Sequence, residues 1–174
     1  MSSKAGDTEL PSPNLHEPDR FVEAAALSTD YLNHFAEALM LMEMAADHPL
    51  LVHELANWTP TTYLAHFDDS GLRCADVALA AYHELDAASR RAFEALCSAM
   101  DRLVATVVLT LDEIKDPAEA LPIVMIAAAA FRNLLARATG FINSGGDMAC
   151  AAYDKVELQD VIDRIMSVRA SACA

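Results

Sequence analysis

The stretch LPIVMIAAAAF, Leu121 to Phe131, is apolar on every side at helical phase. Such a helix has no face to give to water, so it stands at the centre of a fold or is shared with a partner. Its limits are marked in the chain. DPAE, Asp116 to Glu119, is a capping box with proline at the first helical position. NSGG, residues 143–146, is a stop. The helix therefore opens at Pro117, or opens or kinks at Pro122. The apolar run is well short of the ~20 residues that span a bilayer. It reads as a buried helix, and no membrane contact is expected.

The rest of the chain supplies the helices to surround it. Apolar residues make up 54% of the sequence while glycines number only five, and Ala, Leu and Met, all good helix formers, are abundant. Phe21, Ala25, Ser28, Leu32, Phe35, Leu39, Met42 and Ala46 follow a four-three spacing, which predicts a helix from near Asp19 to about Ala46. Pro49 opens a short helix to about Asn57. Thr59 as cap and Pro60 as first residue predict a helix running through Gly71 to Leu85, since Leu64, Phe67, Gly71, Cys74, Ala78, Ala81 and Leu85 stay on one stripe. Asp86 caps a helix from Ala87 to about Ile114, and Asp154 caps a last one of about fifteen residues. Short connections make neighbours antiparallel. The expected fold is all-α: an antiparallel helical bundle of four long helices plus two short ones, in a single domain over 19–174. Residues 1–18, with three prolines and little apolar content, read as a disordered tail.

The net charge of −14 repels phosphate backbones and anionic lipid, so no nucleic-acid partner and no membrane-surface partner are expected. Cys74, Cys97, Cys150 and Cys173 have no metal-ligand or CxxC spacing and read as reduced thiols. With no apolar leader at the N-terminus, this fits a cytoplasmic protein.

Three stretches carry candidate chemistry. Asp30, His34 and Glu37 fall on one helical face, nearly opposite the apolar seam, and read as a solvated stripe. Glu43 borders the seam and is the acid least comfortably placed. NWTPTTYLAHFDDSGLR is the densest polar-aromatic cluster: Trp58 precedes the helix, and Tyr63, His66 and Arg73 share its flank with Ser70 and Val77. Glu43, Trp58, Tyr63, His66 and Arg73 are thus the candidate ligand-binding residues, with Glu43–Arg73 as the expected pair. Trp58 followed by YLAHF superficially resembles the second helix of the DinB-like bundle metalloproteins, over about ten residues. That family's metal site implies a later HxxxH pair, and this chain has no histidine after His83. Ferritin-like ExxH pairs, nucleotide-binding glycine loops and hydrolase motifs are missing too. No metal and no cofactor are expected.

Two functions follow as expectations. The first is a non-enzymatic, regulatory or adaptor protein that works through protein contacts as a homodimer. The second is a bundle that binds a small, largely apolar ligand, with or without catalysis, in a cleft between the first and third helices.

Overall fold

The computed structural model describes residues 26–172 apart from 46, 49 and 115. The tail over 1–18, the predicted helical turns before Ala26, and Cys173 lie outside the described residues. Among the described residues the chain is all-α, with no strand.

Ser28 accepts a hydrogen bond from the Asp30 N–H and caps a 3-10 turn, Thr29–Tyr31, that leads into α1, Leu32–Ala45. Residues 26–28 are not helical, so the expected helix is not continuous through them, and α1 opens at Leu32. α2 is Leu51–Asn57. The expected long third helix is two helices, α3 (Tyr63–Asp68) and α4 (Ala75–Glu84). Its start moves because Thr62, not Thr59, caps it, through the Ala65 N–H at 3.1 Å. The Tyr31 hydroxyl donates to the Thr61 carbonyl and the Trp58 ring N–H to the His34 carbonyl, which holds this segment extended along α1. Its break falls in DDSG. The Ser70 N–H and hydroxyl both donate to the Phe67 carbonyl, so the side chain competes with helix continuation, and Gly71 adds its own cost.

The second half follows the sequence closely. Asp86 caps α5, Ala87–Asp112, through the Ala88 and Ser89 N–H groups and the Ser89 hydroxyl. Asp116 caps α6, Pro117–Asn143, which runs unbroken with Pro122 inside it. It ends at Gly145 and Gly146, both at positive φ, whose N–H groups bond back to Ile142 and Phe141. A short α7, Met148–Ala151, leads to α8, Lys155–Ala172.

α6 is the central helix: α1, α5, α7 and α8 all pack on it. Phe35 of α1 meets Phe131, and Phe93 of α5 stacks on Phe141 at 4.8 Å. Phe131, Phe141 and Ile123 are fully buried. By length and composition alone, Ala118–Asn143 is apolar enough to cross a membrane. Its packing on four neighbours is that of a core helix. Part of it stays open, with Leu121 and Met125 exposed, as Met40 and Met44 are on α1. The seam of α1 is also displaced from expectation: Tyr31, Leu32, Phe35, Ala38, Met42 and Ala45 are buried, while Leu39 is half-buried.

Candidate functional site

The extended segment before α3 borders a cleft of about 320 Å³ over α5. Its apolar walls are Tyr31, Tyr63, Tyr82 and Phe93, with Leu64 at the side. Its floor is one stripe of α5, Glu94, Cys97, Ser98 and Asp101. These fall at i, i+3, i+4 and i+7, the spacing of one helical face, flanking the core stripe of Phe93, Leu96 and Met100. Thr61 and Thr62 close the rim.

The aromatic walls are fixed. Tyr63 stacks on Tyr82 at 4.8 Å and meets Tyr31 edge-on at 5.3 Å. Each phenol has a partner: Tyr63 accepts from the Ser28 N–H at 2.8 Å, Tyr31 donates to Thr61, and Tyr82 donates to Glu94 at 2.8 Å. A pocket whose walls cannot rearrange cheaply presents one shape to a ligand.

Burial sets the protonation states. It pushes the Tyr63 phenol up to about 12 and the Cys97 thiol up to about 12. It also raises Tyr31 and Tyr82 above the ordinary phenol range. At neutral pH these groups hold their protons, and Cys97 is not a nucleophile. Burial raises the Asp101 carboxyl to about 6, so it is mostly ionised at pH 7 and titrates just below. Its Oδ1 is buried without a hydrogen-bond partner among the described residues. The cleft thus pairs rigid neutral walls with one carboxylate in want of a donor, which is the make-up of a binding site.

The candidates read from the sequence are dispersed. Tyr63 forms a wall of the cleft. His66 sits on the next turn against Tyr31 and Phe67, at 5.7 and 4.8 Å, and does not line the cleft. Trp58 stacks on His34 at 4.3 Å, over a separate, shallower groove with Glu37 and Glu54. Glu43 pairs with Arg132 of α6 at 2.6 Å, so the expected Glu43–Arg73 pair is corrected. Arg73 lies exposed in the turn before α4, because the helix that would have carried it on the Tyr63 flank ends at Asp68.

The Asp30, His34 and Glu37 stripe is also corrected in part. Glu37 is exposed, but Asp30 and His34 are half-buried. The Trp58 ring covers His34, and desolvation lowers its imidazole below the ordinary value. His34 Nε2 and His66 Nε2 are buried with no hydrogen-bond partner among the described residues. Among those residues no three His, Cys, Asp or Glu side chains converge as a metal site.

Tyr31, Tyr82, Cys97 and Asp101 escaped the sequence reading. Cys97 to Asp101 had a signal, a weakly polar stripe beside a core stripe. Tyr31 and Tyr82 had none beyond being aromatic, since their roles come from contacts distant in sequence. No protein-family model, curated protein or solved structure matches this chain.

Proposed function

We propose that this protein is a small-molecule-binding helical bundle whose ligand lies in the aromatic cleft over α5. The observation that carries the reading is the juxtaposition of fixed aromatic walls with the buried, unpartnered Asp101 Oδ1. At about 320 Å³ the cleft is at the lower end of the range for small-molecule sites, about 300–1,000 Å³, so the ligand is small. The cleft is lined by the turn before α1, by α3 and α4 and by α5, whereas the sequence reading expected it between the first and third helices. The protonated phenols and thiol favour binding over covalent catalysis. Three free thiols, Cys74, Cys97 and Cys150, support a reducing, cytoplasmic setting. Native mass spectrometry of protein purified without denaturation tests the reading. A stoichiometric small molecule that is lost in Ser98→Trp, which fills the floor, supports it. A ligand-free spectrum, together with no thermal stabilisation by any member of a broad metabolite panel, overturns it.

A second reading rests on a different surface. Met40 and Met44 of α1 and Leu121 and Met125 of α6 are exposed, and the Glu43–Arg132 pair ties together the two helices that carry them. We propose a second copy of this chain as the partner, joined about a two-fold axis that sets like surfaces against each other. A homodimer acting through protein contacts would bury more than about 1,000 Å² in total. Light scattering of the wild type and of Met125→Asp tests it. A dimer that Met125→Asp splits supports the reading, and a wild-type monomer at tens of micromolar refutes it.

A further inference from the structure

Resting on the cleft reading above, we propose that the ligand is a small organic amine, with its ammonium group on Asp101 and its apolar body against Tyr31, Tyr63 and Phe93.

The charge of the lining is one-sided. It holds two carboxylates, Glu94 and Asp101, and no Lys, Arg or His. Two arginines of α5 close to the lining in sequence, Arg90 and Arg102, have partners of their own. The Arg90 guanidinium lies over the Tyr82 ring, 5.8 Å from its centre, and donates to the Leu85 carbonyl. Arg102 donates to Gln159 of α8. An anionic ligand would enter a cleft with two like charges and no counter-charge, inside a protein of net charge −14.

A neutral apolar ligand fits the walls but fails the floor. It would cover the rest of a carboxylate whose Oδ1 is already buried without a hydrogen-bond partner among the described residues, and would bring no donor to it. An ammonium supplies N–H donors and a compensating charge together, and its bond to a carboxylate is charge-assisted. Aromatic walls tolerate a cation better than aliphatic ones, because ring quadrupoles attract it.

A metal cation fits less well. Glu94 and Asp101 are two helical turns apart, about 10 Å along the axis, and the groups between them are a thiol and a hydroxyl. Calcium takes six to eight oxygens in one shell. An amine needs one carboxylate at its head and apolar surface behind it. Glu94 already accepts from Tyr82, so Asp101 is the head group's partner.

Three probes that share a phenylethyl body and differ in head-group charge test this: 2-phenylethylamine, 2-phenylethanol and 3-phenylpropanoate, titrated by calorimetry into the full chain. The amine is expected to bind about ten-fold tighter than the alcohol, and the acid not to bind. Asp101→Asn is expected to bring the amine down to the affinity the alcohol has for the wild type, while leaving the circular dichroism spectrum unchanged. If the alcohol or the acid matches the amine in the wild type and is excluded by Ser98→Trp, the cleft stands and the amine assignment falls. If none of the three binds saturably, the assignment falls too, and native mass spectrometry then decides the cleft reading on its own.

Discussion

α5 and α6 run for 26 and 27 residues from aspartate side-chain N-caps, whereas a comparable length of chain from Leu32 to Glu84 is divided into helices of 14, 7, 6 and 10 residues. In the long pair the helix ends satisfy themselves. Asp86 and Asp116 bond their own first turns, and Gly145 and Gly146 return their N–H groups to the last one. In the divided half the backbone is held by side chains distant in sequence: Tyr31 on Thr61, Trp58 on His34, and Tyr63 on Ser28. Self-capped helices keep a regular face along their whole length, and α5 gives one such face to the cleft. The divided half supplies the aromatic walls opposite it, from the turn before α1, the extended segment at Thr61 and Thr62, α3 and α4.

The contrast is broken most sharply by removing a central ring. Phe131 is fully buried on α6, and Phe131→Ala is expected to cost about 3–5 kcal/mol, lowering the whole urea transition. Tyr63→Phe removes only the acceptor of the Ser28 N–H, at an expected cost of about 0.5–1.5 kcal/mol. Its hydrogen exchange should accelerate around residues 26–31 and 58–68 and stay unchanged in α5 and α6. Equal global losses from the two variants would erase the distinction between the halves.

A smaller effect sharpens the site half. The Asp101 carboxyl titrates at about 6, above its ordinary value. The folded state therefore binds its proton more tightly than the unfolded state does. Its contribution to stability is full below the unfolded value, about 3.9, and is lost as pH rises through about 6. Asp101→Asn should remove that decline and stabilise the free protein at pH 7 by under about 1 kcal/mol, the carboxylate being half-exposed to screening solvent. Cys97 and Glu94 face the same cleft, and the thiol stays protonated throughout this window. An unchanged pH profile in Asp101→Asn would mean the carboxylate is freely solvated.

The smallest effect is optical. Trp58 is the single tryptophan, and it stacks on His34. Burial favours the neutral imidazole, so this contact's stability is present above the ordinary histidine value of about 6.5 and is lost as pH falls through a lower one. Tryptophan emission should change with a midpoint below about 6.5, and His34→Gln should abolish that step. A step that survives in His34→Gln would belong to another group.

The two halves were also unequally legible in the sequence. Asp86, Asp116, Asp154 and the two glycines were read correctly because a cap acts within three or four residues of itself. The all-round apolar run at Leu121–Phe131 announced the central helix for the same kind of reason: its meaning does not depend on distant partners. Thr59–Pro60 was an equally good local signal and was overridden, since Tyr31 and Trp58 hold the strand of chain around it. Gly71 kept the apolar stripe in phase and still broke the helix, because Ser70 bonded the Phe67 carbonyl. Of the candidate site, Tyr63 was found from its cluster. Asp101 was hidden because its environment is made by α3 and the turn before α1, from elements more than thirty residues away.

The proposed function turns on ligand binding in the aromatic cleft over α5. Amide chemical-shift mapping of the uniformly labelled protein with 2-phenylethylamine tests it most directly. The account predicts saturable shifts greatest at Tyr31, Tyr63, Cys97, Ser98 and Asp101. Saturable shifts confined to the Leu121–Met125 strip or the His34–Trp58 groove would contradict it.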